Sequence, residues 1–148
     1  MTMIHAQDIL KLAPWMAIAT KEIGVMEPDD LKYFQATSWP NPPANTPSCA
    51  AFVGWCLKQV GIKGTDSAAA ISYLHWGQDI EETKPIGAVV VFSFNTGHHV
   101  SFYAGSGQFL GGNQTREHEV IQESIPLKNA IAWRWPTFAK IPGVVYTE

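Results

Sequence analysis

The chain has 148 residues, 46% of them hydrophobic and 16% charged, with a formal net charge of −3. That length and composition fit one globular domain spanning residues 1–148, large enough to bury a core without disulfides, and they exclude a disordered chain. No stripe of Lys and Arg is present, which excludes nucleic acid as a partner, and no run of 18 apolar residues is present to span a membrane.

The first stretch, Met1 to Leu12, has neither the basic start nor the continuous apolar run of a secretory leader. Pro14 suits the first turn of a helix through Trp15, Ile18 and Ala19 to Ile23, with Gly24 as its stop. A second short helix is expected from Pro28, with Asp29 and Asp30 at its positive end and Leu31, Tyr33 and Phe34 along it. The proline-rich stretch from Ser38 to Asn45 is a surface loop. Thr46 as cap and Pro47 at the first helical position predict a helix that places Cys49 in its first turn, with Phe52, Val53, Cys56, Leu57 and Val60 at helical spacing and Gly61 as its end. A further helix is expected from Thr65-Asp66-Ser67 to Gly77. Beyond Pro85 the composition turns to strand. Ala88 to Phe94, His99 to Tyr103, Gln108 to Leu110, Glu119 to Glu123 and Ala130 to Arg134 read as strands separated by Gly- and Asn-rich turns. Helices first and an antiparallel meander second make an α+β fold.

Chemistry concentrates at three points. A thiolate is the reactive form of cysteine, and the exposed N–H groups of a helix start stabilise it, so Cys49 is the candidate nucleophile. The same N–H groups can hold an oxyanion. Cys56, mid-helix among apolar residues, reads as core; seven residues from Cys49 on one helix, it stands about 10 Å along the axis, beyond disulfide reach. His98 and His99 open a strand, where successive side chains point to opposite faces, so one of them can serve as base and the residues alone leave the choice open. Asn113, in Gly111-Gly112-Asn113-Gln114, is a neutral amide able to accept the second imidazole N–H, or simply a turn residue. Zinc spacing is absent: there is no C-x-x-C and no H-E-x-x-H. Trp39 and Tyr73 are candidate groove residues, Tyr73 equally a core one.

These segments also carry a resemblance. Pro47-Ser48-Cys49-Ala50-Ala51-Phe52, Gly97-His98-His99-Val100-Ser101-Phe102-Tyr103 and Gly111-Gly112-Asn113-Gln114, in that order, resemble the NlpC/P60 and CHAP superfamily of cysteine peptidases and amidases. Within it they are similar to a small bacterial and phage group with Pro-Trp-Cys-Ala-Ala-Phe, Gly-His-Val and Gly-Gly-Asn-Gln signatures. Gly61 to Ala68 and Trp133-Arg134-Trp135-Pro136 look like that group too. The resemblance implies a papain-like fold, with N-terminal helices packed on a small antiparallel sheet. It implies a catalytic set of Cys49, His99 and Asn113, substrate contacts from Ser48, Trp39 and His98, and no cofactor or metal. Ser48 stands where the family commonly has Trp, which alters the groove wall and offers a hydroxyl near the oxyanion. Gly87-Ala88 replaces the usual Gly-Asp.

The activity implied is hydrolysis of a peptide or amide bond in peptidoglycan through a thioester. Without a leader, such an enzyme is made in the cytoplasm and reaches the periplasm or wall by delivery or lysis. It would be a type VI secretion effector with an immunity protein as partner, or a phage lysin. A deamidase or transglutaminase-like enzyme acting on protein is the first rival, and a non-catalytic binding module the second.

Overall fold

A computed structural model of the chain describes residues 12–37, 39–114, 118–137 and 139. Residues 1–11, which carry most of the leader argument, lie outside the described residues. Among the described residues, the helices α1 (Trp15–Lys21), α2 (Leu31–Phe34) and α3 (Cys49–Gln59) precede a six-stranded sheet. The strands are β1 (Gln78–Asp79), β2 (Val89–Phe94), β3 (Gly97–Gly105), β4 (Gln108–Gly111), β5 (Ile121–Ser124) and β6 (Ala130–Trp135). Every pairing is antiparallel, in the order β1-β6-β2-β3-β4-β5. The fold is α+β.

Helix α3 is the centre of the helical layer. Its residues Cys49, Ala50, Ala51, Phe52, Val53, Cys56 and Leu57 are all buried, with α1 and α2 against it on one side and β3 on the other. Alanine at 50 and 51 lets those neighbours approach closely, while Phe52 meets Tyr33 of α2 and Phe102 of β3 edge-on. The helix closes with Gly61 at φ +76°, where the N–H of Gly61 bonds to the Lys58 carbonyl and that of Ile62 to Leu57. That pair of bonds is a Schellman motif, which needs a residue in the left-handed region and therefore favours glycine.

Two expectations change here. Pro47 is not in the helix: Ser48 is the N-cap and Cys49 the first helical residue, while the Thr46 hydroxyl donates back to the Pro43 carbonyl instead of capping. The stretch from Thr65 to Gly77 is not one helix but a single 3-10 turn, Ala70–Tyr73. Asp66 and Gly77 sit at positive φ, which breaks a helix at both ends. Arg134 on β6 then gathers the carbonyls of His75, Trp76 and Gly77, so these groups bond across the fold rather than along a helix. Tyr73, offered above as a groove residue, is fully buried, with its hydroxyl near the Thr65 N–H.

Among the described residues no helix is long and apolar enough to cross a membrane.

Candidate active site

The helix start and the start of β3 meet. Cys49 is the first residue of α3 and is 3% exposed. His99 is the third residue of β3, paired across to Phe92 of β2, whose ring lies 6.1 Å from the imidazole. Both line one cleft, and each side chain favours the charged form of the other. His98, on the same strand, is exposed at the mouth of the cleft.

One nitrogen of the imidazole is held. His99 Nε2 stands 3.0 Å from Gln114 Oε1. The amide's orientation follows from its other bonds: Gln114 Nε2 donates to the carbonyls of Phe109 at 3.0 Å and Ile121 at 2.8 Å, one on β4 and one on β5. Both N–H groups of the amide are therefore engaged, and Oε1 must face the ring as an acceptor. His99 then carries a proton on Nε2 and donates it to that oxygen.

Electrostatics agree with this chain of contacts. Burial pushes the Cys49 thiol up, but the hydrogen bond to His99, the imidazole's charge and the N–H groups of Val100 and Ala50 outweigh it, so the thiol sits below its ordinary value. Burial pulls His99 down, and the bonds to Cys49 and Gln114 more than reverse that. Cys56 shows the opposite case: buried without such partners, its thiol is pushed well above the usual range. Of the two cysteines, Cys49 is the one whose thiol is held below its ordinary value.

The pair opens into a cleft of about 350 Å³ whose polar wall includes His98, Asn113, Gln114 and Glu123, with Pro47, Phe94 and Ile125 as its apolar parts. A second cavity, of about 410 Å³, lies between Ile62, Trp76 and Pro136, and among the described residues no cysteine or histidine lines it. Among the described residues, no group of three His, Cys, Asp or Glu side chains is arranged to hold a metal ion.

No family model and no curated protein matches the sequence. Solved structures do match. The P60 domain of the M. avium subspecies paratuberculosis antigen MAP1204 superposes with a TM-score of 0.61 at 13% identity, over 93% of this chain and 100% of that one. NlpC2 from Trichomonas vaginalis gives 0.57 at 20% identity over 81% of this chain. Rv1477, a hypothetical invasion protein of Mycobacterium tuberculosis, gives 0.59 at 20% identity over 88% of this chain and 64% of that one. The chain has the NlpC/P60 fold. It spans 45% of the length of the T. vaginalis structure.

Within this NlpC/P60 fold the residues singled out in the sequence separate. Cys49 and His99 come together. Asn113 does not reach His99: it takes φ +58°, which swings its side chain to His118, whose Nδ1 donates to Asn113 Oδ1. The residue that reaches the imidazole is its neighbour Gln114. Asn favours the left-handed region more than most residues, so Gly-Gly-Asn could have been read as the turn and Gln114 as the first side chain to point back. Ser48 is buried at 2% exposure beneath Gly112 and is not part of the cleft lining. Trp39 faces solvent in the proline-rich loop and does not line the cleft either. Glu123 had no signal in the sequence, because only the pairing of β5 with β4 brings it to the cleft.

Proposed function

We propose that this chain is a cysteine hydrolase that cuts a peptide or amide bond in bacterial cell-wall peptide. Cys49 is the nucleophile, His99 the general base and Gln114 the positioning residue that holds the imidazole. The observation that carries this reading is that Cys49, at a helix start, and His99, held by Gln114, line one cleft. The NlpC/P60 fold supports the choice of a cell-wall substrate.

In this reading the Cys49 sulfur attacks the carbonyl carbon of the scissile amide. Its proton is already on, or passes to, Nδ1 of His99. The oxyanion forms against the first N–H groups of α3, which lack intrahelical acceptors. The imidazolium gives its proton to the departing amine, and the C–N bond breaks to leave a thioester. His99 then takes a proton from water, the resulting hydroxide attacks the thioester, and the carboxylate product and free Cys49 are released. No outside reductant or oxidant is required.

Purified peptidoglycan incubated with wild type and with Cys49→Ala, followed by mass analysis of the soluble fragments, tests this. New peptides from wild type alone are expected, and their masses name the bond. Equal release by both proteins removes Cys49 from the chemistry. No release by either moves the substrate to protein glutamine side chains, where the same pair could act as a deamidase.

A further inference from the structure

Ser101 sits on β3 two residues beyond His99, so the two side chains leave the strand on the same face. It is fully buried. Among the described residues, its Oγ is the one buried side-chain nitrogen or oxygen without a hydrogen-bond partner. A hydroxyl in that state destabilises the fold, because its bonds to water are lost and not replaced. Folded interiors pair such groups, and an exception calls for a physical reason. The residue has no accessible surface, which leaves no room for a water beside the hydroxyl. Its partner must therefore be a protein atom.

One acceptor lies close. A Cβ on Gly111 of β4 would stand 2.7 Å from the Ser101 Cβ and 2.6 Å from Gln114 Oε1. Serine and amide oxygen thus converge on the bare Cα of one glycine. The bonds Gln114 already makes fix the direction of any bond between them. Its two N–H groups are taken by the carbonyls of Phe109 and Ile121. Its oxygen has two lone pairs, and His99 Nε2 uses one. The second lone pair accepts, and the Ser101 hydroxyl is able to donate. That hydroxyl swings about a single torsion with three staggered wells, so it changes its aim without moving the strand.

We propose that Ser101 is a positioning residue of this site, whose hydroxyl turns to donate to Gln114 Oε1 and pins that oxygen against the His99 ring. Held by two donors, the oxygen stays on Nε2, and the imidazolium keeps the acceptor that favours it. The inference rests on Cys49 and His99 acting as described above, and its test does not depend on hydrolysis.

Ser101→Ala is made in two backgrounds, wild type and Gln114→Leu, and each protein is followed by urea denaturation and by the pH dependence of Cys49 alkylation. In wild type the substitution removes a bond, so the urea midpoint is expected to fall. In Gln114→Leu the hydroxyl has already lost its acceptor, so removing it is expected to raise the midpoint. Equal shifts in the two backgrounds, whether both up or both down, mean that Gln114 is not the partner and overturn the proposal. The alkylation midpoint tests the positioning itself. It is expected to rise by about half a pH unit in the wild-type background, slowing the reaction about three-fold at any pH below it. In Gln114→Leu it is expected to stay where it is, because the amide oxygen is gone. An unmoved midpoint in the wild-type background, or the same rise in both, overturns the positioning role. A coupled Ser101 and Gln114 in a protein that releases nothing from peptidoglycan keeps the proposal and loses the wall-hydrolase reading; release without the coupling does the reverse.

Discussion

Gln114 is the residue on which the state of the site turns. Its acceptor oxygen favours a charged imidazole, and a charged imidazole favours the thiolate, although burial opposes charge on both His99 and Cys49. Because the thiol is lowered, the thiolate is present above that lowered value, so alkylation by iodoacetamide should have its pH midpoint below the roughly 8.5 of a free cysteine thiol. Replacing Gln114 by Leu removes a group that stabilises the imidazolium. His99 then falls, Cys49 loses a neighbouring positive charge, and the midpoint moves up. Asn113→Ala should leave the midpoint where it is, because Asn113 meets His118 and not His99. Mass spectrometry of the alkylated protein across pH reads all three; a Gln114→Leu midpoint equal to wild type removes Gln114 from its role. At this scale the sequence pointed to Cys49 near a helix start and to the two histidines that open β3. The residues alone left His98 and His99 open, which strand alternation decides, and Asn113 was named where Gln114 is the amide that reaches the imidazole, because Asn113 takes a positive φ.

Among the elements, the hinge of the site is the end of β4. A Cβ on Gly111 would lie 2.6 Å from Gln114 Oε1 and 2.7 Å from the Ser101 Cβ, closer than such atoms ever stand. The Gln114 side chain is the softer of the two, so Gly111→Ala should push the amide off the imidazole. The expected result is the raised alkylation midpoint of Gln114→Leu together with a stability loss of about 1–3 kcal/mol from overpacking, read by urea denaturation. Retention of the wild-type midpoint would mean that Gly111 is not needed to seat Gln114. The strands β2, β3 and β4 were legible because apolar and aromatic runs lie between clear glycine turns. The region from Thr65 to Gly77 was not. Its apolar spacing suits a helix, yet Arg134 binds its backbone from β6, a partner distant in sequence. The two-residue β1 exists only through its pairing with β6 and has no pattern of its own.

For the whole molecule, the helical layer and the sheet must stay in register if Cys49 and His99 are to meet. The α+β class was legible from element order, but the sheet order was not. Strand β6 returns to pair with β2 rather than extending the meander from β5, and nothing local announces a long-range pairing. The joint between layers includes Trp15 of α1, fully buried, whose Nε1 donates to the Gly87 carbonyl at 2.8 Å and whose ring meets Trp135 of β6 edge-on at 5.0 Å. Trp15→Phe removes the donor, leaves the Gly87 carbonyl without it in a buried place, and opens space beside Trp135. An unmade buried hydrogen bond and a small cavity each destabilise, together by about 2–4 kcal/mol. The denaturation midpoint in urea should fall with an unchanged slope, the mark of lost stability without a change in the surface exposed on unfolding. The Cys49 alkylation midpoint, measured well below that denaturant range, should not move, because α3, β3 and the β4–β5 pair build the site without Trp15. A shifted alkylation midpoint in Trp15→Phe would show instead that α1 sets the position of α3, and that the nucleophile depends on the seating of the helical layer.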